Sequence, residues 1–212
     1  MPGDSDVTAD DAAGLTGTKL QIAEAALATL KTKGFAGASA RVIAQAGDFN
    51  QALIFYHFGS VRNALLAALD LISQRRLHEY RPAFQAAGTA SELGRVARSI
   101  YDDDLERGYI TALGEMVSAG VSDPTLGAEV TARIEPWIEM VRDKLAQLLA
   151  GSPVLGLGSP ADLAFGIVAL YFGVDMLSHL QRERARADSL LDLVTRLAGL
   201  AEALLPTAQD LS

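Results

Sequence analysis

The chain has 212 residues, half of them apolar, and a formal net charge of −8. That length is enough to bury a sizeable core in one or two domains. The absence of Cys excludes disulfides and thiolate chemistry, and the lack of a long apolar run or of a signal peptide predicts a cytoplasmic protein with no membrane partner.

Residues 1–17 carry four Asp and no base, show little periodicity, and read as a disordered tail. Thr18 is placed to cap a first helix ending near Lys33, with Ile22, Ala23, Ala26, Leu27 and Leu30 as its buried stripe. The stretch Ser39 to Phe58 then reads as two short helices about a tight turn. Ser39 caps the first, and Val42, Ile43 and Ala46 give it an apolar face. Gly47-Asp48 breaks it with residues that tolerate left-handed angles. Asn50 caps the second, which runs to Phe58 before Gly59-Ser60 stops it. Two short helices about such a turn form a helix-turn-helix candidate, whose second helix enters a DNA major groove. Charge agrees with this placement. Residues 18–62 carry Lys19, Lys31, Lys33, Arg41 and Arg62 against Glu24 and Asp48, a net +3, whereas both flanking segments are acidic.

A fourth helix is expected from Ser60 to about Glu79, with Leu65, Leu66, Leu69 and Ile72 on its core face and Arg75, Arg76 and Arg81 toward its far end. Ser91 to Arg107 is a further helix; its run Asp102-Asp103-Asp104 reads as a solvated face, because consecutive acids on a helix point in different directions. Gly108 marks a break before a helix from Tyr109 to Ala119. Asp123-Pro124 opens the next, which extends to about Ala150 and is open to a bend at Pro136. Residues 151–160 form a loop, and Gly156-Leu157-Gly158 is no phosphate cradle, since no strand precedes it. Asp162 to Leu180 is apolar nearly all round, and together with the last helix, Asp188 to Leu205, it demands more cover than a single chain of this size supplies. A partner subunit would provide it. His57, His78 and His179 have no metal-ligand spacing, and no catalytic set is visible, so neither a metal, a cofactor nor an enzyme is expected.

Within the apolar helices, polar or adaptable residues are candidates to line an effector site: Tyr101, Tyr109, Glu115, Met116, Trp137, Met140, Tyr171, Asp175 and His179. Tyr171, Asp175 and His179 share one helix face. A buried carboxylate needs a partner, so Asp175 marks an internal Asp–His pair, a polar spot at a dimer interface, or a ligand contact.

Lys19 to Leu65 resembles the DNA-binding domain of the TetR family of bacterial repressors. The resemblance rests on Lys19, on Ile22, Ala25 and Ala26, on Gly34-Phe35, on Ser39, Arg41, Ile43 and Ala44, and on Tyr56-His57-Phe58 followed by Ser60. Beyond Leu65 it extends only to the helical layout. The resemblance implies an all-α protein: a three-helix DNA-binding domain at 18–62, then a helical effector-binding and dimerisation domain at 63–206 whose last two helices form a four-helix interface with the partner's. It sets Gln51, Ala52, Leu53, Phe55 and His57 against DNA. Ile54, Tyr56 and Phe58 are expected in the core. Arg41 and Lys19 would hold phosphates at helix N-termini, and the capping residues Ser39 and Asn50 join the DNA-binding set. Three positions depart from the pattern. Asp48 replaces a turn Gly, Phe55 replaces a Tyr, and Val61 stands where a Lys commonly meets the DNA backbone, with Arg62 beside it as a substitute cation.

The expectation is therefore a homodimeric transcription regulator, a repressor that leaves a palindromic operator on double-stranded DNA when a small, largely apolar molecule binds. The alternative is a helical ligand-binding or interaction protein without operator binding.

Overall fold

The computed structural model describes residues 14–150, 158–181 and 185–203. Among them every regular element is a helix, in the order α1 Gly17–Gly37, α2 Ala40–Ala46, α3 Ala52–Phe58, α4 Val61–Ala86, α5 Ala90–Arg107, α6 Tyr109–Ser122, α7 Pro124–Leu148, α8 Pro160–Gln181 and α9 Ala185–Ala203. The all-α expectation holds. No single described helix is long and apolar enough to cross a membrane.

Most helix starts follow from caps within one turn. Ser39 Oγ accepts the N–H of Val42 at 3.3 Å, and Asn50 Oδ1 accepts that of Ala52 at 2.9 Å. Ser60 Oγ accepts the N–H of Asn63 at 3.1 Å. Asp123 Oδ1 accepts those of Thr125 and Leu126 at 3.0 and 3.1 Å, with Pro124 at the first turn. Ser159 and Asp162 cap α8 reciprocally, each accepting the other's backbone N–H, at 3.1 and 3.2 Å.

The boundaries of α1 and α4 differ from the sequence reading. Helix α1 is capped at Thr16 rather than Thr18, and Leu15 is buried against Ala23, Ala67 and Leu71, so part of the segment expected as a tail packs on the first unit. Helix α4 runs past Glu79 and through Pro82 to Ala86. A proline removes one N–H from the ladder, but Tyr80 and Phe84 on either side bury in one apolar cluster, and that packing carries the helix on. Helix α7 likewise continues through Pro136.

The chain forms two compact units. The first comprises residues up to Glu79 with Gly108–Ile134, and the second Tyr80–Arg107 with residues from Glu135 onward. The first unit therefore reaches beyond residue 62: Leu65, Leu66 and Leu69 of α4, Tyr109, Ala112 and Met116 of α6, and Leu126 and Val130 of α7 share a core with Ile22, Leu30, Ile43 and Ile54. In the second unit Tyr80, Phe84, Leu93, Ile100, Val141, Leu145, Leu149 and Ala164 form the core.

Candidate nucleic-acid interface

Helices α2 and α3 are short, and each is held by one or two buried aliphatic residues: Ile43 and Ala44 in α2, Ile54 in α3. Between them Asp48 adopts φ 51°, the only positive φ among the described non-glycine residues. A left-handed Asp costs more than Gly, but Gln21 Nε2 donates to the Gly47 carbonyl at 2.9 Å and fixes the turn from outside. Gly59 at φ 74° ends α3 in the left-handed region, where glycine is favoured.

With Ile54 buried, the exposed side of α3 is set by its period. Gln51, Ala52, Phe55 and Tyr56 face solvent, Phe55 at 52 % and Tyr56 at 82 % exposure. The expectation that Tyr56 packs in the core is corrected: two residues on from Ile54 is roughly 200° around a helix, the opposite face. Phe58, a full turn from Ile54, does pack inward and is half-buried. Leu53 is also half-buried against the core, leaving little of it for an outside partner. His57 is half-buried, with its ring edge-on to Tyr56 at 4.8 Å. Lys19, Ser39, Arg41, Asn50 and Gln51 are exposed. Arg41, Gln45, Asp48, Asn50 and Gln51, with Ala44 and Phe49, bound a shallow groove of about 510 Å³. Gln45 is an exposed polar residue of this face that the sequence reading did not name, and helical period alone would have placed Tyr56 on the exposed side.

Arg62 does not join them. Its Nη1 donates to Asp123 at 3.0 Å, and its Nε donates to Glu129 at 2.8 Å, tying the start of α4 to the start of α7. Arg133 makes a second tie to Asp70 at 2.8 Å. Val61 packs against the first core. Asp123 is held below the ordinary carboxylate range, chiefly by the N–H of Leu126, and further by Arg62 and the N–H of Thr125.

The candidate effector residues divide between the two units. Met116 is fully buried and Tyr109 nearly so in the first core, where Lys31 Nζ lies 4.7 Å from the Tyr109 ring centroid. Glu115 accepts the backbone N–H of Phe35 at 2.8 Å. These three pack or hydrogen-bond within the first unit. In the second unit Tyr101 and Tyr171 pack edge-to-face at 5.5 Å, and the Tyr171 hydroxyl donates to Asp104 at 2.5 Å. Trp137 and Met140 border the second core. The side chains of Asp175 and His179 lie outside the described residues.

The acidic run of α5 is not a solvated face. Asp104 is fully buried. Asp102 pairs with Arg98 at 3.0 Å, and Asp103 takes the Tyr80 hydroxyl and Arg107. Arg98 also reaches Asp188 at 2.6 Å and Asp192 at 3.2 Å, binding α5 to α9. Burial works to lower the Arg98 pKa, but these three carboxylates outweigh it and raise it.

No family model and no curated protein matches the sequence. Solved structures match across most of the chain. A TetR-family transcriptional regulator from Cytophaga hutchinsonii has a TM-score of 0.72 at 19% identity, covering 86% of this chain and 93% of its own. A putative TetR-family regulator from Rhodococcus sp. has a TM-score of 0.71 at 20% identity over 85% and 97%. The fatty acid degradation regulator FadR from Bacillus halodurans has a TM-score of 0.71 at 14% identity over 86% and 95%. The chain has the fold of TetR-family transcriptional regulators.

Proposed function

We propose that the chain is a cytoplasmic DNA-binding transcription regulator, not an enzyme, that acts as a homodimer and as a repressor, leaving a palindromic operator when a small molecule binds. The carrying observation is the exposed row Gln51, Ala52, Phe55 and Tyr56 on a short helix whose other side is anchored by buried Ile54, flanked by exposed Arg41 and Lys19. Such a helix presents side chains to base edges while cations at neighbouring helix starts meet phosphates. Gln51 suits adenine, and Arg41 and Lys19 set register.

The homodimer is supported by α8 and α9. Phe165, Ile167, Met176 and Leu177 on one, and Leu193, Leu197 and Leu200 on the other, are large apolar residues left exposed by the single chain. Apolar surface on that scale marks an interface, and a C2 dimer buries the same patch on both subunits. Effector binding is assigned to residues 63–206, with Tyr101, Trp137, Met140 and Tyr171 retained as candidates in the second unit. Release of DNA follows if the effector prefers the non-binding state.

Arg62 and Val61 favour a second reading, binding or interaction without operator recognition, because both are engaged inside the first unit. Selection of bound duplexes from a random DNA pool, followed by affinity measurement across a salt series, separates the two. A regulator recovers a palindrome with a steep salt slope. Recovery of no sequence above background sinks the operator-binding reading.

A further inference from the structure

In the second unit, the end of α4 and the middle of α7 wall a groove of about 470 Å³. Its apolar lining is Phe84, Pro136 and Met140. Two cations border it, and neither has a carboxylate. Lys144 is 7 % exposed, and its Nζ donates only to neutral acceptors, the Gln85 carbonyl at 3.0 Å and the Gln147 side-chain oxygen at 3.3 Å. An ammonium has three protons to place, so one remains. Arg81 stands exposed at the same groove and is held by no hydrogen bond or ion pair among the described residues. The groove also carries two carboxylates, but Asp143 is engaged by Arg142 at 2.9 Å, and Glu139 likewise lies in the field of Arg142.

A charge taken this far from water without a counter-charge is costly, and the cost is offset when an anion arrives. Elsewhere among the described residues the chain supplies partners for its arginines: Arg62, Arg75, Arg98 and Arg133 all meet carboxylates. Among the described residues Arg81 and Lys144 form no such pair, and they share a groove with an apolar floor. We propose that this groove binds a small amphipathic organic monocarboxylate, its head group between Lys144 and Arg81 and its apolar part on Phe84, Pro136 and Met140. The volume falls within the range of small-molecule sites. The assignment rests on the effector-binding part of the proposed function, for which Met140 is already a candidate, and gives that ligand a chemical class; because binding is measured on the protein without DNA, its failure leaves the operator-binding reading standing.

The test is calorimetric titration of the full chain with three probes on one carbon skeleton: 3-phenylpropionate, 3-phenylpropanol and 3-phenylpropylamine. None forms micelles or needs a membrane, and they share the apolar part while the head is anionic, neutral or cationic. The carboxylate is expected to bind saturably and about 10-fold more tightly than the alcohol or the amine, the gain typical of a charge-assisted hydrogen bond. Arg81→Gln, an exposed change that leaves the core alone, is expected to weaken the carboxylate several-fold while leaving the alcohol unchanged. Lys144→Gln is expected to weaken it further, with thermal unfolding checked alongside because that side chain is buried. Equal affinity for the three probes, no saturable heat with the carboxylate, or wild-type affinity in Arg81→Gln overturns the proposal.

Discussion

Glu115 accepts the backbone N–H of Phe35 at 2.8 Å across 80 residues of sequence. The same carboxylate occupies the space a side chain at position 34 would need: a Cβ built on Gly34 would lie 2.5 Å from Glu115 Oε2. Gly34 itself sits at φ 68° and ψ 179°, a conformation open essentially to glycine alone. The kink at Gly34 within α1 and the carboxylate of α6 therefore meet at one point.

Gly34→Ala is expected to destabilise the protein by about 1–3 kcal/mol from backbone strain, more with the clash added. Glu115→Ala is expected to cost about 1–3 kcal/mol by leaving the Phe35 N–H unsatisfied. In the Glu115→Ala background the penalty of Gly34→Ala should shrink, because the clash is gone and only the strain remains. Denaturant unfolding of the four proteins of this cycle measures the coupling. Additive penalties would mean that the two residues act separately.

The ties of Arg62 to Asp123 and Glu129 make it a structural residue in the first unit. Arg62→Ala should lower thermal stability by about 1 kcal/mol, the scale of a partly exposed ion-pair network. It should leave the slope of log affinity against log salt unchanged. A slope shallower by about 0.9 per subunit would show instead that Arg62 neutralises a phosphate. Val61→Lys is expected to lose stability as well, because Val61 packs on the core.

Base reading is placed on Gln51, which is exposed at the start of α3. Gln51→Ala should relax preference at one base pair in each half-site by about 1–3 kcal/mol. Arg41→Ala should weaken all sequences alike and flatten the salt slope. Uniform weakening by Gln51→Ala, measured over a panel of single-base operator variants, would remove Gln51 from the reading set.

Assembly is expected to fail when charge enters the apolar faces of α8 and α9. Phe165 is 65 % exposed and Leu177 58 %, so Phe165→Arg or Leu177→Arg replaces apolar surface without opening a cavity inside the subunit. Sedimentation should show a wild-type dimer and monomeric variants whose helicity is intact. A wild-type protein that sediments as a monomer at micromolar concentration would count against the dimer.

Asp123 gives the first unit a defined dependence on pH. Its folded pKa is lowered, first by the Leu126 N–H, so the charged form stabilises the folded state above the ordinary carboxylate range. That contribution is lost as pH falls through the folded value. Asn caps helices as well as Asp but carries no charge. The stability difference between wild type and Asp123→Asn should therefore be greatest at neutral pH and vanish in strong acid. A difference constant across that range would show that the charge of Asp123 is immaterial.

Most of what forms within a turn or two of chain was legible in the residues alone. Ser39, Asn50, Ser60 and Asp123-Pro124 start their helices where their side chains or ring dictate, and the spacing of Ile22, Ala26 and Leu30 names the buried stripe of α1. The exposed face of α3 was available on the same terms, since Tyr56 opposes Ile54 by helical period alone. Polar residues whose partners lie 60 to 90 positions away were not. Arg62 as a tie to Asp123, Glu115 as a latch on Phe35, Asp104 as the acceptor of Tyr171 and Arg98 as the bond between α5 and α9 all depend on which helices pack together. A charged side chain on a helix reads the same whether its neighbour is water or a carboxylate from a distant segment. Only the tertiary structure decides which, because that choice is made by the apolar cores that bring the helices together.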